Sequence, residues 1–257
     1  IRDRQNRILY PISAYLSNSF LVCLVSEVKN GCKRQIVYYS DTDDEELNKN
    51  LPFPFFVDIG DSIPVALFGN YFHSVAIDTN GAILYIYQYS YTEPQYLPDG
   101  EKAVDIALTF EMLFVLSSNG KLFKKKGAMN NKPALKQVKH FKNTKIIQIS
   151  GTYNHVLVLT DENRVFAYGD NDHGKLGIGI KKEKVTKFTE ILSLREYKIA
   201  AVYAGDYQSL FQTANGEILI CGENSDKVIN KIPVSTSIKS GAKFCICTNP
   251  RTAIFVN

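Results

Sequence analysis

The 257-residue chain has no tryptophan, two methionines, four histidines and five cysteines, and each shortage narrows what it can do. None of the histidines stand at the spacing of a metal-ligating pair. Cys23, Cys32, Cys221, Cys245 and Cys247 are an odd set without a C-x-x-C pair, which argues against a zinc site or a disulfide framework. They read as small buried hydrophobes in a reducing, intracellular compartment, nuclear or cytoplasmic. Cys245 and Cys247 alternate, so in a strand they share a face and remain a candidate redox or metal pair. The longest apolar run, Phe20 to Val25, is far below the ~20 residues of a membrane helix, so no membrane partner is expected. No secretory signal is apparent in the first residues, which begin at Ile1 rather than Met. A glycine-rich phosphate loop, a nucleophile elbow and a dinucleotide fingerprint are all missing. The expectation is therefore no catalytic residue, no metal and no cofactor. The net charge of +4, from 30 basic and 26 acidic residues, is too small to imply nucleic acid without local clustering.

What the chain does have is β-sheet chemistry in repeats. It carries 15 Tyr and 15 Phe, and a hydrophobic fraction of 45% is ample for a packed core. The stretch from Ile149 to Gly179, ISGTYNHVLVLTDENRVFAYGDNDHGKLGIG, holds two apolar runs around a polar turn, then a glycine-punctuated tail. One hairpin cannot bury its apolar face alone, so copies are expected. Aligning on the turn residue finds them: Gly81, Gly120, Asn163 and Gly216 occupy one position, 39, 43 and 53 residues apart. That position suits a positive φ. Eight residues earlier stand His73, Met112, His155 and Gln208, and four before those Gly69, Leu108, Gly151 and Ala204. A constant hairpin at irregular spacing means variable loops on a fixed scaffold.

Gly-x-x-x-His, a strand, a Gly or Asn turn, a second strand and a GDNDHGKLGIG tail together resemble the repeat of the regulator of chromosome condensation family. Gly151, His155, Tyr168, Gly169, Asn171, Gly174, Leu176 and Gly177 fall on its motif positions, with Tyr168 where the family usually has tryptophan. The resemblance implies an all-β propeller of antiparallel blades, normally seven. At roughly 40 to 45 residues per blade, six blades suit this length and seven are the alternative. The whole chain, 1–257, is expected to form one monomeric ring, closed by an early strand pairing beside Thr252–Val256. Gly69, His73, Gly81, Gly120, Gly151, His155, Gly169, Gly174, Gly177 and Gly216 then serve as repeat-structural residues, the histidines by hydrogen bonding between strands.

The resemblance also implies function. The founding member promotes nucleotide exchange on the small GTPase Ran without nucleophile or cofactor, and other members are interaction scaffolds. In the family the working face uses residues just before the anchor position, here Phe72, Glu111, Asn154 and Tyr207. The leading expectation is a protein-interaction scaffold, with a small GTPase or a histone among the partners. An exchange factor is the alternative.

Other segments carry two readings. Arg2, Arg4 and Arg7 form either a basic stub or a frayed end. Ile8–Tyr10, Phe20–Ser26 and Gln35–Ser40 read as strands of a divergent first blade. Asp41–Glu46, DTDDEE, is a solvated loop or an acidic lip, and Leu51–Phe56, LPFPFF, covers the ring or docks a partner. Tyr85, Tyr87, Tyr89 and Tyr91 alternate, so in one strand they would share a face for blade packing or for stacking bases. The most basic region runs from Lys121 to Lys145 and holds Lys124, Lys125, Lys126, Lys132, Lys136, Lys139, Lys142 and Lys145 with no carboxylate between. It is either a solvated loop or a surface for acidic protein, chromatin or nucleic acid.

Overall fold

A computed structural model describes residues 9–16, 20–27, 34–40, 55–57, 59–69, 74–87, 90–91, 93–127, 134–223, 229–239, 244–248 and 252–256. Five four-stranded antiparallel sheets follow one another in chain order, and a two-stranded hairpin comes after them. The first sheet holds β1 (Leu9–Leu16), β2 (Phe20–Glu27), β3 (Arg34–Ser40) and β4 (Phe55–Val57). The second holds β5 (Pro64–Gly69), β6 (Ser74–Asp78), β7 (Ile83–Tyr87) and β8 (Ser90–Tyr91). The third is β9 (Ala103–Leu108), β10 (Met112–Ser117), β11 (Leu122–Lys126) and β12 (Lys136–Gln137). The fourth is β13 (Ile146–Thr152), β14 (His155–Thr160), β15 (Val165–Asp170) and β16 (Lys184–Glu190). The fifth is β17 (Ile199–Ala204), β18 (Gln208–Thr213), β19 (Glu217–Glu223) and β20 (Ile229–Lys239). The hairpin is β21 (Phe244–Thr248) with β22 (Thr252–Val256). The only helical pieces among the described residues are 3-10 turns, such as Pro98–Gly100 and Lys139–Phe141.

The turn position that aligns the repeats explains why each hairpin closes where it does. Gly81, Gly120, Asn163 and Gly216 have φ of 78°, 77°, 61° and 84°, a region that costs most side chains and that Gly and Asn tolerate. At Gly120 the space is also taken, because a Cβ would stand 2.4 Å from Lys145 Cγ. There the Ile146 amide donates to the Gly120 carbonyl at 2.9 Å, joining the third hairpin to the start of the next sheet.

No single centre is buried; the core is a series of apolar layers between successive sheets. Leu24, Ile36 and Val57 of the first sheet meet Ala76 and Leu84 of the second. Ile77 and Tyr85 meet Ile106 and Val115, Phe114 meets Val158 and Phe166, and Leu157 and Leu159 meet Val202 and Phe211. β6 and β14, each the second strand of its sheet, therefore bury both faces and are buried at every position. The first strands line up across the molecule, β1 against β5, β5 against β9, β9 against β13, β13 against β17 and β17 against β21. This is the arrangement of propeller blades.

Two expectations change. Among the described residues β1 pairs only with β2 and β22 only with β21, so no ladder joins an early strand to Thr252–Val256. The last unit has two strands rather than a blade's four. The tyrosine alternation is also not one strand, since β7 ends at Tyr87 and β8 starts at Ser90, and the two strands pair antiparallel. A hairpin reverses the chain in the middle of the stripe. Tyr85 is fully buried against the third sheet, and Tyr89 lies outside the described residues, as do Arg2, Arg4, Arg7, Asp41–Glu46 and His73. The sequence also undersold β1, which continues through Pro11 because Pro11 and Ser13 flank a shift in its register with β2.

Candidate protein-interaction surface

Because the strands of every sheet alternate in direction, loops joining first to second strands lie at one end of the molecule, here the upper end. Turns joining second to third strands lie at the lower end. The upper end carries Phe110–Glu111, Tyr153–Asn154 and Asp206–Tyr207, and its geometry depends on how the fourth and fifth sheets are fastened.

That fastening is a polar zipper along β13. Gln148, Ser150 and Thr152 alternate and so project to one side. Gln148 accepts from the Val202 amide and donates to the Val202 carbonyl, both at 2.9 Å. Ser150 Oγ accepts from the Ala204 amide at 2.9 Å, and Thr152 Oγ1 donates to Asp206 Oδ1 at 2.8 Å. Below it Asn163 takes both polar groups of the next link, donating to Tyr197 O and accepting from the Ile199 amide at 2.7 Å each. His155 Nε2 meets Ser209 Oγ at 2.8 Å, and Ser209 donates onward to the Lys175 carbonyl at 2.7 Å. The glycine-rich tail closes the joint: Asn171 holds it through Leu176 N and Ile180 O, and Leu176 is buried in the layer between the two sheets.

On this frame a cleft of about 190 Å³ opens between the third and fourth sheets, lined by Phe110, Glu111, Tyr153, Asn154, Asp170 and Lys184 among others. Phe110 and Tyr153 are 54% and 44% exposed, and their ring centroids are 6.2 Å apart. The Phe110 amide donates to the Tyr153 carbonyl at 2.5 Å. Tyr153 has φ 25°, an uncommon value for an aromatic residue, held by the bonded frame on both sides. Lys184 Nζ lies 3.4 Å from Asp170 and 3.7 Å from Glu111, and the Asp170 charge first, then Glu111, pushes its pKa up. The Asn154 Oδ1 atom is buried and has no hydrogen-bond partner among the described residues.

Of the four residues expected on the working face, Glu111 and Asn154 meet in this cleft. Tyr207 sits one sheet further, its ring 5.5 Å from that of His173, which pairs with Glu223. Phe72 lies outside the described residues. The lysine-rich segment, by contrast, is not one surface. Lys124 lies over the Tyr168 ring at 5.4 Å. Lys125 is buried, its ammonium 4.0 Å from the Tyr85 ring, and burial pulls its pKa down to about 8. Both belong to β11, where successive side chains face opposite neighbouring sheets. Lys126 and Lys145 are exposed separately, Lys132 is outside the described residues, and Lys136, Lys139 and Lys142 gather at the lower end.

Sequence reading missed Phe110, Tyr153, Asp170 and Lys184, and it missed the zipper. A signal existed for the first two, because the residue before the face position is aromatic in three repeats, Tyr71, Phe110 and Tyr153. For the zipper the signal was the polar alternation of Gln148, Ser150 and Thr152 within an apolar strand.

Comparison with known proteins agrees with the geometry. Residues 146–175 and 162–212 match the regulator of chromosome condensation (RCC1) repeat. Residues 146–212 therefore carry that family's repeat. The matched residues are the fourth sheet and the joint to the fifth, where zipper, histidine anchor and tail coincide. The mouse RCC1-like G exchanging factor-like protein is 34% identical over 86 residues, 32% of this chain and 19% of that one. The cattle secretion-regulating guanine nucleotide exchange factor is 40% identical over 80 residues, 31% of this chain and 17% of that one. The chain thus spans under a fifth of these relatives' lengths. Human WBSCR16 superposes with a TM-score of 0.74 at 14% identity, over 96% of this chain and 72% of that chain. Prp20p of Saccharomyces cerevisiae, in a structure titled for its binding to Gsp1p and histones, gives 0.67 at 14%, over 90% and 64%. At such identities the likeness is one of fold.

Proposed function

We propose that the chain is a protein-interaction scaffold, a ring of blades over residues 1–257 with β21 and β22 in a sixth, whose working surface is the upper end around Glu111, Asn154 and Tyr207. The observation that carries this is the Phe110–Tyr153 pair: two exposed aromatic rings, one on a strained backbone, stand over a cleft with charge of both signs. Exposed aromatics beside paired charges are the composition of an interface anchor rather than of a solvated loop. The work proposed for the cleft is binding. The partner is another protein, and among families of partner a small GTPase or a histone is supported by the likeness to Prp20p. A pull-down of recombinant Ran-type GTPase and of histone dimers, with wild type against Glu111→Lys, tests it. Loss of a complex on substitution supports the upper end as the surface, and equal binding removes it.

The second reading, nucleotide exchange, is supported by the named exchange-factor relatives and by Glu111 on the expected face. Release of labelled GDP from a Ran-type GTPase, accelerated at least tenfold by micromolar protein, would carry it. Binding without acceleration leaves the scaffold reading standing alone.

A further inference from the structure

The lower end of the third sheet holds a second cleft, of about 560 Å³, that the upper surface does not touch. It lies where the outer strand β12 leads into the 3-10 turn Lys139–Phe141, facing the turn Pro98–Gly100 that enters the same sheet. Its apolar lining is the exposed Pro98 with Phe123 and Leu135 buried beside it, and its charged lining is Lys136, Lys139 and Lys142. All three lysines are exposed, and none forms an ion pair with a described residue. Lys121, at the same end, shows the alternative: its ammonium is 2.7 Å from Glu101, and that bond raises its pKa. Asp99 is the one carboxylate among the lining residues. Three unneutralised cations beside an apolar lining, within a volume typical of ligand sites, form an anion receptor with a place for a hydrophobic group.

We propose that this cleft docks an acidic segment of a protein partner, with one apolar side chain seated between its carboxylates. A nucleic acid fits less well for two reasons visible in the same strand. A backbone track needs the basic stripe to continue, but Lys124 is spent on Tyr168 and Lys125 is buried. Base stacking needs an exposed ring, but Phe123, the aromatic ring of the lining, is only 2% exposed, so the apolar contact on offer is the exposed Pro98, which suits an aliphatic or aromatic side chain of a peptide. The site lies at the opposite end from Glu111, so one chain can hold two partners at once, and the proposal stands or falls independently of the upper surface.

Fluorescence anisotropy of the full chain with a fluorescein-labelled Glu-Glu-Phe-Glu-Glu peptide tests it. The expected result is saturable binding that weakens with salt, falls at least fivefold when Phe is replaced by Ala in the peptide, and falls at least tenfold in the triple variant Lys136→Glu, Lys139→Glu, Lys142→Glu. Glu111→Lys is expected to leave it unchanged. All three lysines are exposed, and an unchanged melting temperature confirms that the triple variant is folded; Lys139→Glu alone, with an intermediate loss, serves if it is not. Absence of binding at millimolar peptide, equal binding by the triple variant, or tighter binding of a labelled oligothymidine would each overturn the proposal.

Discussion

His155 Nε2 and Ser209 Oγ, 54 residues apart in the chain, meet at 2.8 Å with both side chains fully buried. Ser209 spends its hydrogen on the Lys175 carbonyl, so the imidazole must be the donor. That assigns the proton to Nε2 and leaves Nδ1, which has no partner among the described residues, as a bare lone pair. Burial first, and the Lys175 charge second, push the imidazole pKa down to about 3.

His155→Ala should cost about 2–4 kcal/mol, from a buried cavity and an orphaned hydroxyl. His155→Gln should cost less, because Gln208 occupies the same repeat position in β18. The pH dependence has a definite sign. Between the unfolded value near 6.5 and about 3 the unfolded chain binds the extra proton, so this residue withdraws stability as pH falls below 6.5. Urea unfolding from pH 7 to 4 checks both: wild type should lose stability more steeply than His155→Gln, and parallel curves would refute the buried neutral imidazole.

Asp105 should act with the opposite sign. It holds in β9 the repeat position that Gln148 holds in β13, and burial pushes its carboxyl up to about 6 against the Ile106 and Ile149 amides. The folded chain then binds more protons between about 4 and 6, so the residue's penalty grows as pH rises through that window and is complete above it. Gln148 can both accept and donate, whereas an ionised carboxylate only accepts. Asp105→Asn should therefore stabilise by on the order of 1–3 kcal/mol at pH 7.5, since the residue keeps some solvent exposure, and by almost nothing at pH 4.5. Melting temperatures of the two proteins at both pH values decide it; a gain that does not depend on pH would speak against this account.

Tyr153 should separate stability from binding. Its positive φ disfavours a β-branched side chain, so Tyr153→Val should lose about 1–2 kcal/mol. Tyr153→Gly relieves the backbone at the cost of unfolded-state entropy and should fall within about 0.5 kcal/mol of wild type. Both remove the exposed ring and should weaken partner capture alike. Thermal denaturation alongside the pull-down distinguishes the two effects.

Gly169→Ala should be among the most damaging single-methyl additions. Gly169 has φ 115°, and a Cβ there would lie 2.2 Å from the Asn154 carbonyl oxygen, which accepts the Asp170 amide at 2.9 Å. A loss of about 2–4 kcal/mol and a displaced Asn154 are expected. Gly100→Ala, with φ 71° and nothing within 4 Å of the added atom, should cost only about 1 kcal/mol. Comparable losses at the two sites would show that backbone conformation, not the close approach, governs Gly169.

The hairpins, their turn residues and the strand-opening anchors were legible in the linear pattern. Period-two alternation and a positive-φ turn are local properties, written in residues a few positions apart. Gly120 and Asn163 were readable for that reason, whereas Glu111 and Asn154 were singled out only by the resemblance to the repeat family. Lys124, Lys125 and Lys126 looked alike because one-dimensional charge says nothing about which sheet each side chain faces. The strand pleat sends Lys124 to Tyr168 and Lys125 to Tyr85. Pairings such as Gln148 with Val202, or Lys184 with Glu111, span separations at which no local rule operates. They exist because apolar layers force successive sheets face to face; burial then favours polar groups of β13 that find partners in the neighbouring sheet, while Lys184 and Glu111 pair at the exposed edge of the same seam.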